Sequence, residues 1–333
     1  MENDTDVLDY FDEQIEQVKK HATAALEAFD GHAIHQARVA TRRLKAGLDL
    51  LSPLMDAGQA RPLQNAGKKL RRRLGPLRDL DVMIDHLQHD SPPPTVKPAQ
   101  EWLIERLEKT RRDARIDDTE NGQKLTKLLA RFDGWWVLRH SIEASVQGIE
   151  PLIVSALHER MAAFAEQADW VSGVVAPPAS KLPIDVHQVR IEGKALRYTF
   201  EIAAAHGLKI PKPVFKRFKA MQESLGNWHD YVVLCETASE ESAERMLAHH
   251  EPKLAEQSLD LSKRFLRKAS LELNKFRGQW KRSGSGIRAA LDERVPLARD
   301  VATESKTDPD PSLTAQTQSP AVADGALPPT SQV

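Results

Sequence analysis

Residues 35–45 read His-Gln-Ala-Arg-Val-Ala-Thr-Arg-Arg-Leu-Lys, and residues 187–197 read His-Gln-Val-Arg-Ile-Glu-Gly-Lys-Ala-Leu-Arg. At about 100° per residue, His35, Arg38, Arg42 and Lys45 fall at about 0°, 300°, 340° and 280° around a helix, one stripe roughly 80° wide. His187, Arg190, Lys194 and Arg197 repeat those angles. The opposite side carries Ala37, Leu44, Leu48 and Leu51 in the first stretch, and Val189, Leu196, Phe200 and Ala203 in the second. Each stretch is therefore a helix with one face for a core and one cationic face.

A second pair of matches follows at nearly the same offset. Leu74-Gly75-Pro76-Leu77-Arg78-Asp79 aligns with Leu225-Gly226-Asn227-Trp228-His229-Asp230. Lys68, Arg71, Arg72, Arg78 and Asp79 share one helix side, with Leu70, Leu74, Leu77 and Ile84 on the other. In the later copy Lys212, Lys216, Lys219 and Asp230 share a side, while Gln222 and Glu223 stand where Arg71 and Arg72 stand in the first. Two ordered matches at one offset predict an internal duplication.

Elsewhere apolar residues also recur at helical spacing, and no alternating strand-like runs appear. The expected fold is all-α: two pseudo-symmetric four-helix units with helices near 6–29, 32–52, 58–89, 98–131, 150–170, 183–206, 212–249 and 252–280. Breaks are set by Gly31, Pro53, Pro92-Pro93-Pro94, Gly134, Gly148 to Pro151, Pro177-Pro178, Pro211 and Pro252. The expected organisation is a first unit over 1–133, a connector over 134–149, a second unit over 150–282 and a further short helix within 283–300. Residues 301–333, with five prolines and no aromatic residue, are expected to form a disordered tail.

The chain has 333 residues with 47 Lys and Arg against 48 Asp and Glu, a formal charge of −1. The total conceals segregation. Windows 35–45, 61–78, 187–197, 209–219 and 263–282 hold 27 of the 47 bases and only two acids, Glu192 and Glu272. Solvated helix faces mix signs, because like charges four apart cost a few tenths of a kcal/mol per pair. Cationic stripes laid down twice therefore point to an anionic ligand. Asp79 and Asp230, each beside cations, are read as carboxylates that orient an Arg or His within the site. The last helix adds Lys263, Arg264, Arg267, Lys268, Lys275, Arg277, Lys281 and Arg282 around its circumference.

Cys235 is the single cysteine, so no internal disulfide and no cysteine-based metal site is expected. It reads as a small buried hydrophobe. The acidic start of the chain lacks the order of a signal peptide, and no run approaches the ~18 apolar residues that span a bilayer. A cytoplasmic protein without membrane partners is the expectation. The sequence assigns neither an oligomeric state nor a cofactor.

With these motifs in order, H-x-x-R-x-x-x-R-R-L-K at 35–45, L-G-P-L-R-D-L-D-V at 74–82, H-x-x-R-x-x-x-K-x-L-R-Y at 187–198 and L-G-N-W-H-D at 225–230, the chain resembles the CHAD family over roughly 6–282. That α-helical domain is named for its histidines. The resemblance implies two four-helix units whose basic faces line a shared groove or central pore. It also implies binding of inorganic polyphosphate, and association with polyphosphate granules in cells that store it. Carried over position by position, it assigns anion contact to His35, Arg38, Arg42, Arg43, Lys45, Arg72, Arg78, His187, Arg190, Lys194 and Arg197. The helix-face reading adds Lys68, Arg71, Lys212, Lys216 and Lys219. Glu223 in place of Arg72, and Asn227-Trp228-His229 in place of Pro76-Leu77-Arg78, depart from symmetry. Members are often joined to a triphosphate-processing domain carrying E-x-E-x-K; no two glutamates here are spaced by two.

Two rival readings are set against non-enzymatic polyphosphate binding. The His89-Asp90 and His229-Asp230 pairs would suit a metal-dependent phosphohydrolase of the HD type. However, His229 aligns with Arg78, which cannot ligate a cation, and His89-Asp90 opens a proline-rich loop. No Glu lies three residues before any of the 12 His, so the di-iron bundle motif is absent, as are the P-loop and zinc spacings. Nucleic acid is the rival polyanion. Single-strand binders interleave aromatic platforms with their cations, and the basic stripes contain almost none. The six tryptophans are assigned to packing.

Overall fold

Asp30 and Asp185 open the two helices that carry the cationic stripes. In this computed structural model Asp30 Oδ2 accepts from the Ala33 backbone N–H at 2.7 Å, and Asp185 Oδ1 accepts from that of His187 at 2.8 Å. Each carboxylate satisfies an otherwise orphaned N–H at the positive end of a helix. Asp56 does the same for Gln59 at the start of the third long helix.

The structure describes residues 3–119, 122–244 and 249–296. Its α-helices are α1 (Asn3–Glu27), α2 (Gly31–Leu50), α3 (Ala57–His89), α4 (Lys97–Thr119), α5 (Gly122–Leu129), α6 (Trp135–Glu143), α7 (Ile149–Ser172), α8 (Val186–Ala205), α9 (Lys212–Ser242) and α10 (Pro252–Arg294). The all-α expectation holds: among the described residues there is no strand. No helix among them is long and apolar enough to cross a membrane.

Pairing follows chain order in both halves. Helix α1 packs on α2, α2 on α3 and α3 on α4; α7 packs on α8, α8 on α9 and α9 on α10. The halves meet through α1 against α8, α2 against α7 and α8, and α3 against α9. Two apolar clusters result. The larger gathers Phe11, Ile15, Leu44, Leu70, Leu74, Phe164, Leu196, Phe200, Phe218 and Trp280; the smaller gathers Leu80, Leu87, Leu103, Leu107, Leu234, Leu261 and Phe265. At about 1.5–3 kcal/mol for each large side chain removed from water, these clusters dominate the stability. Helices α3 and α9 run through both, and between the clusters they carry Arg78 and Asp79 on α3 and His229 and Asp230 on α9.

Several boundaries differ from the sequence reading: α9 ends at Ser242 rather than near 249, and the stretch expected as one helix over 98–131 carries α4 and α5. The stretch 134–149, expected as a connector, carries α6. There Trp135 is fully buried against Phe11, with ring centroids 5.8 Å apart, and its Nε1 donates to Asp12 Oδ1 at 2.6 Å. Arg139 Nε reaches the same carboxylate at 2.8 Å. Helix α10 does not stop at 280 to be followed by a separate short helix; it continues through Ser283-Gly284-Ser285-Gly286 to Arg294. Gly284 lies one turn after Trp280 on the same helix, where a Cβ would come within 2.8 Å of ring Cδ2, so the room this ring needs offsets the low helix propensity of glycine. The expected tail over 301–333 lies outside the described residues.

Tryptophan and cysteine environments are also settled locally. Trp280 is buried in an arrangement like that of Trp135: its Nε1 donates to Asp169 Oδ1 at 2.7 Å, and Arg288 Nη1 reaches Asp169 Oδ2 at 3.1 Å. Trp170 is buried as well, whereas Trp136 is exposed at 39% and does not serve the core. Cys235 is half-buried rather than buried, with Sγ 3.2 Å from Ser262 Oγ.

The α1–α2 contact yields a packing prediction. A Cβ at Gly47 would stand 2.0 Å from Phe11 Cε1, inside a fully occupied core. Gly47→Ala is expected to destabilise the fold by about 1–3 kcal/mol through overpacking, read as a lower denaturation midpoint in urea. At Gly193 the closest atom to such a Cβ is the Gln222 amide nitrogen at 1.9 Å. Gln222 ends in rotatable bonds, so Gly193→Ala should cost less.

Candidate functional site

Where the two apolar clusters part, α2, α3, α8 and α9 leave a cavity of about 410 Å³. Helix α2 supplies His35, Arg38, Val39 and Arg42; α3 supplies Arg78, Asp79, Val82 and Met83; α8 supplies Arg190 and Lys194; α9 supplies Gly226, His229, Asp230 and Val233. Both repeated stripes thus open into one hollow, and both repeated Leu-Gly motifs lead into its wall. The spacing explains this directly. Positions four apart lie on one helix face, so Arg38 with Arg42, and Arg190 with Lys194, point the same way.

The cavity is electrostatically unbalanced. Among the described residues Arg42, Arg78, Arg190 and Lys194 have no carboxylate within ion-pair distance; Arg38 reaches Asp79 only at 3.8 Å. Arg190 Nε is buried and without a hydrogen-bond acceptor. A buried donor left unmade costs roughly 1–3 kcal/mol, so this guanidinium nitrogen is a standing cost unless it finds an acceptor in the cavity. Burial, then the neighbouring Arg190 and Arg42, push Lys194 down to about 7. Burial and Arg78 push His35 down to about 4, and burial and Arg190 do the same to His229. Near neutral pH the two imidazoles are uncharged and Lys194 is poised between its forms.

Hydrogen bonds to backbone fix the geometry. Arg38 Nη1 donates to the Arg71 carbonyl at 3.0 Å, and Arg71 Nη1 donates to the Thr41 carbonyl at 2.8 Å. This reciprocal pair stitches α2 to α3 and makes Arg71 a brace for Arg38 rather than part of the cavity lining. Asp79 stands beside Arg38, and Asp230 Oδ2 lies 3.5 Å from His86 Nε2, so each carboxylate has a basic neighbour. Pro76 lacks a backbone N–H, so α3 enters the cavity wall one hydrogen bond short.

Several predicted residues lie elsewhere. Arg43 Nε is 2.7 Å from Glu201 Oε2, and Arg197 Nε is 3.0 Å from Glu201 Oε1; one carboxylate neutralises both. Lys45 pairs with Asp49, four residues on. Lys68 and Arg72 are exposed and precede the cavity on α3. Lys212, Lys216 and Lys219 are exposed near the start of α9, whereas the cavity begins at Gly226. His187 is exposed and borders the site through His229, with ring centroids 5.2 Å apart.

His229 was missing from the sequence-derived site. Its alignment with Arg78 was the available clue, since equivalent positions on equivalent helices reach one cavity. The other His-Asp pair is structural: Asp90 holds Arg264 at 3.0 Å and pairs with Lys268, tying the end of α3 to α10. His89 turns to the surface, its Nδ1 2.8 Å from the Asp85 carbonyl. Among the described residues no three His, Cys, Asp or Glu side chains gather where they could hold a metal ion.

Comparison with known proteins agrees with the fold. The family model for the CHAD domain matches residues 9–239, more than half the chain. The structure is similar to that of the CHAD domain from the plant Ricinus communis, with 20% sequence identity and a TM-score of 0.55, over 86% of this chain and 91% of that one. It is also similar to PptA from Streptomyces chartreusis, with 16% identity and a TM-score of 0.53, over 84% of this chain and 99% of that one. No curated protein matches the chain. The structural likenesses, at these identities, concern the fold; the family match rests on the sequence itself. The chain belongs to the CHAD domain family.

Proposed function

We propose that the chain binds inorganic polyphosphate, without turning it over, in the groove between α2, α3, α8 and α9. The observation that carries this is the convergence of Arg42, Arg78, Arg190 and Lys194 from three helices on one hollow, with the buried Arg190 Nε lacking an acceptor. A phosphate chain is a repeating array of oxyanions. Arginine forks match adjacent phosphate oxygens in pairs, and a lysine adds a compact point charge. The matched helix pairing of the two halves supports a duplication that presents such contacts twice.

The apolar part of the lining is Val39, Val82, Met83 and Val233. Among the described residues no Phe, Tyr or Trp lines the groove as a platform for a base, its only rings being the imidazoles of His35 and His229, which favours a polyanion without bases over a nucleic acid. Association with polyphosphate granules in cells that store them is the cellular form of this reading.

Competition decides between the rivals. At fixed salt the protein is titrated with long-chain polyphosphate, orthophosphate and single-stranded DNA of equal charge. Many modest contacts on one chain multiply, so polyphosphate should bind at least about a hundredfold more tightly than orthophosphate, weakening steeply with salt. Equal affinity for monomer and polymer would remove the multivalent reading. Preference for DNA would replace polyphosphate with nucleic acid as ligand, and metal-dependent release of orthophosphate would make the protein a hydrolase.

A further inference from the structure

On the far side of α3 from the groove lies a second basic hollow of about 360 Å³, lined by Lys69, Arg73, Lys127, Leu128 and Arg131. We propose that it is a second site for the same class of ligand, an outlying station for a phosphate chain that leaves the groove across α3. This rests on the polyphosphate reading above and adds to it a structural basis for chain-length preference.

Lys69 and Arg73 are four residues apart on α3; Lys127 and Arg131 are four apart across the end of α5 and the short 3-10 turn Ala130–Gly134. Lys127 and Arg131 set like charges on one face, which costs a few tenths of a kcal/mol without a counter-charge, whereas Arg73 has an interaction of its own within the chain. Among the described residues the lining holds no acid. Among the described residues, Lys69, Lys127 and Arg131 have no carboxylate partner, and all three are exposed. The segment that presents Lys127 and Arg131 is firmly seated: Phe132 is fully buried, and Leu128 and Leu129 pack against the larger core. These charges are therefore held beside α3 by packing, against their mutual repulsion.

A path connects the two sites. Measured from Arg78 at about 100° per residue, Lys68 lies at about 80°, Arg72 at about 120°, Lys69 at about 180° and Arg73 at about 220° around α3. The cations form a continuous fan from the groove side to the hollow. Lys68 and Arg72, which do not line the groove, are its middle; both are exposed and, among the described residues, without a carboxylate partner. From Arg78 to Lys69 the helix axis advances about 14 Å. A short oligomer would fill the groove alone, whereas a long chain would engage groove, fan and hollow together.

The test compares tripolyphosphate with long-chain polyphosphate on the full chain carrying Lys69→Gln, Lys127→Gln and Arg131→Gln. Long-chain affinity should fall about tenfold or more, with a shallower salt dependence, while tripolyphosphate affinity stays unchanged. Unchanged long-chain affinity overturns the second site and leaves the groove reading intact. If the unsubstituted protein binds neither phosphate probe, the groove reading itself fails. If the substitutions weaken single-stranded DNA instead of polyphosphate, the hollow serves nucleic acid and the proposal is overturned.

Discussion

Arg190→Gln combined with Lys194→Met lowers affinity for long-chain polyphosphate by at least about a hundredfold and raises the melting temperature of the unliganded protein. The first half follows from what each group supplies. A hydrogen bond to a charged group is worth about 1.5–3 kcal/mol, so two together account for factors of about 10² to 10⁴. Both side chains point into the groove with no carboxylate partner among the described residues, so nothing in the free protein repays their removal from water. The second half follows from the same fact. An unpaired buried cation opposes folding, and replacing it with an uncharged side chain of similar volume stabilises by about 1–4 kcal/mol where the site accommodates the change. The measurement is a pair of readings on one variant, affinity by titration calorimetry and stability by denaturant melting. Loss of both would mean that these residues hold the fold together; retention of both would move the anion site away from α8.

That opposition between binding and stability marks out the groove from the ion pairs around it. Arg43 and Arg197 share Glu201, and Arg139 is held by Asp12; removing either partner of such a pair exposes an uncompensated charge and weakens the fold. The cations of the groove behave in the reverse sense. Their repulsion is a standing cost of the empty site, and an oxyanion offsets it.

How much of this was legible in sequence depends on the distance over which each feature is decided. Helical faces are set by spacing alone, so the joint orientation of Arg38 with Arg42, and of Arg190 with Lys194, could be read directly. Lys45 is neutralised from just outside the repeated stretch, since its partner Asp49 lies one helical turn beyond residue 45. Arg43 shows a limit of kind: Glu201 lies 158 residues away in sequence, and only the packing of α8 against α1 and α2 brings them together. Helix α6 lies between Gly134 and Gly148, two residues that signal breaks, although buried Trp135, Leu138 and Ile142 supply a helical face between them. Gly284 within α10 reverses the lesson, for a residue that usually ends helices is retained where the Trp280 ring needs the room. His229 is legible through its alignment with Arg78, although the adjoining Asp230 makes the pair resemble a metal-binding His-Asp motif.

The poised protonation of Lys194 gives the second large effect, a pH dependence whose sign can be worked out. Its folded value, about 7, lies below the ordinary lysine value of 10.5 because burial, Arg190 and Arg42 disfavour the cation. The groups facing it are Arg190 on α8, Arg38 and Arg42 on α2, Asp79 on α3, and His229 and Asp230 on α9. The folded, empty protein therefore binds fewer protons than the unfolded chain between about pH 7 and 10.5, and this group makes stability rise with pH across that window. A bound polyanion reverses the local field and lifts the lysine back towards its ordinary value, so binding takes up a proton. Above about pH 7 each unit of alkalinity should then weaken polyphosphate binding by up to about tenfold, until the lysine of the complex also loses its proton. Lys194→Arg keeps a charge that does not titrate in this range and should bind tightly with a flat profile; Lys194→Met should bind weakly, also with a flat profile. His35 and His229, both held near 4, take up protons only in acid. They should produce a separate tightening as pH falls towards that value, one that survives in both Lys194 variants. A profile that keeps its alkaline slope in Lys194→Arg would show that the proton goes to some other group and would remove Lys194 from the ligand's immediate surroundings.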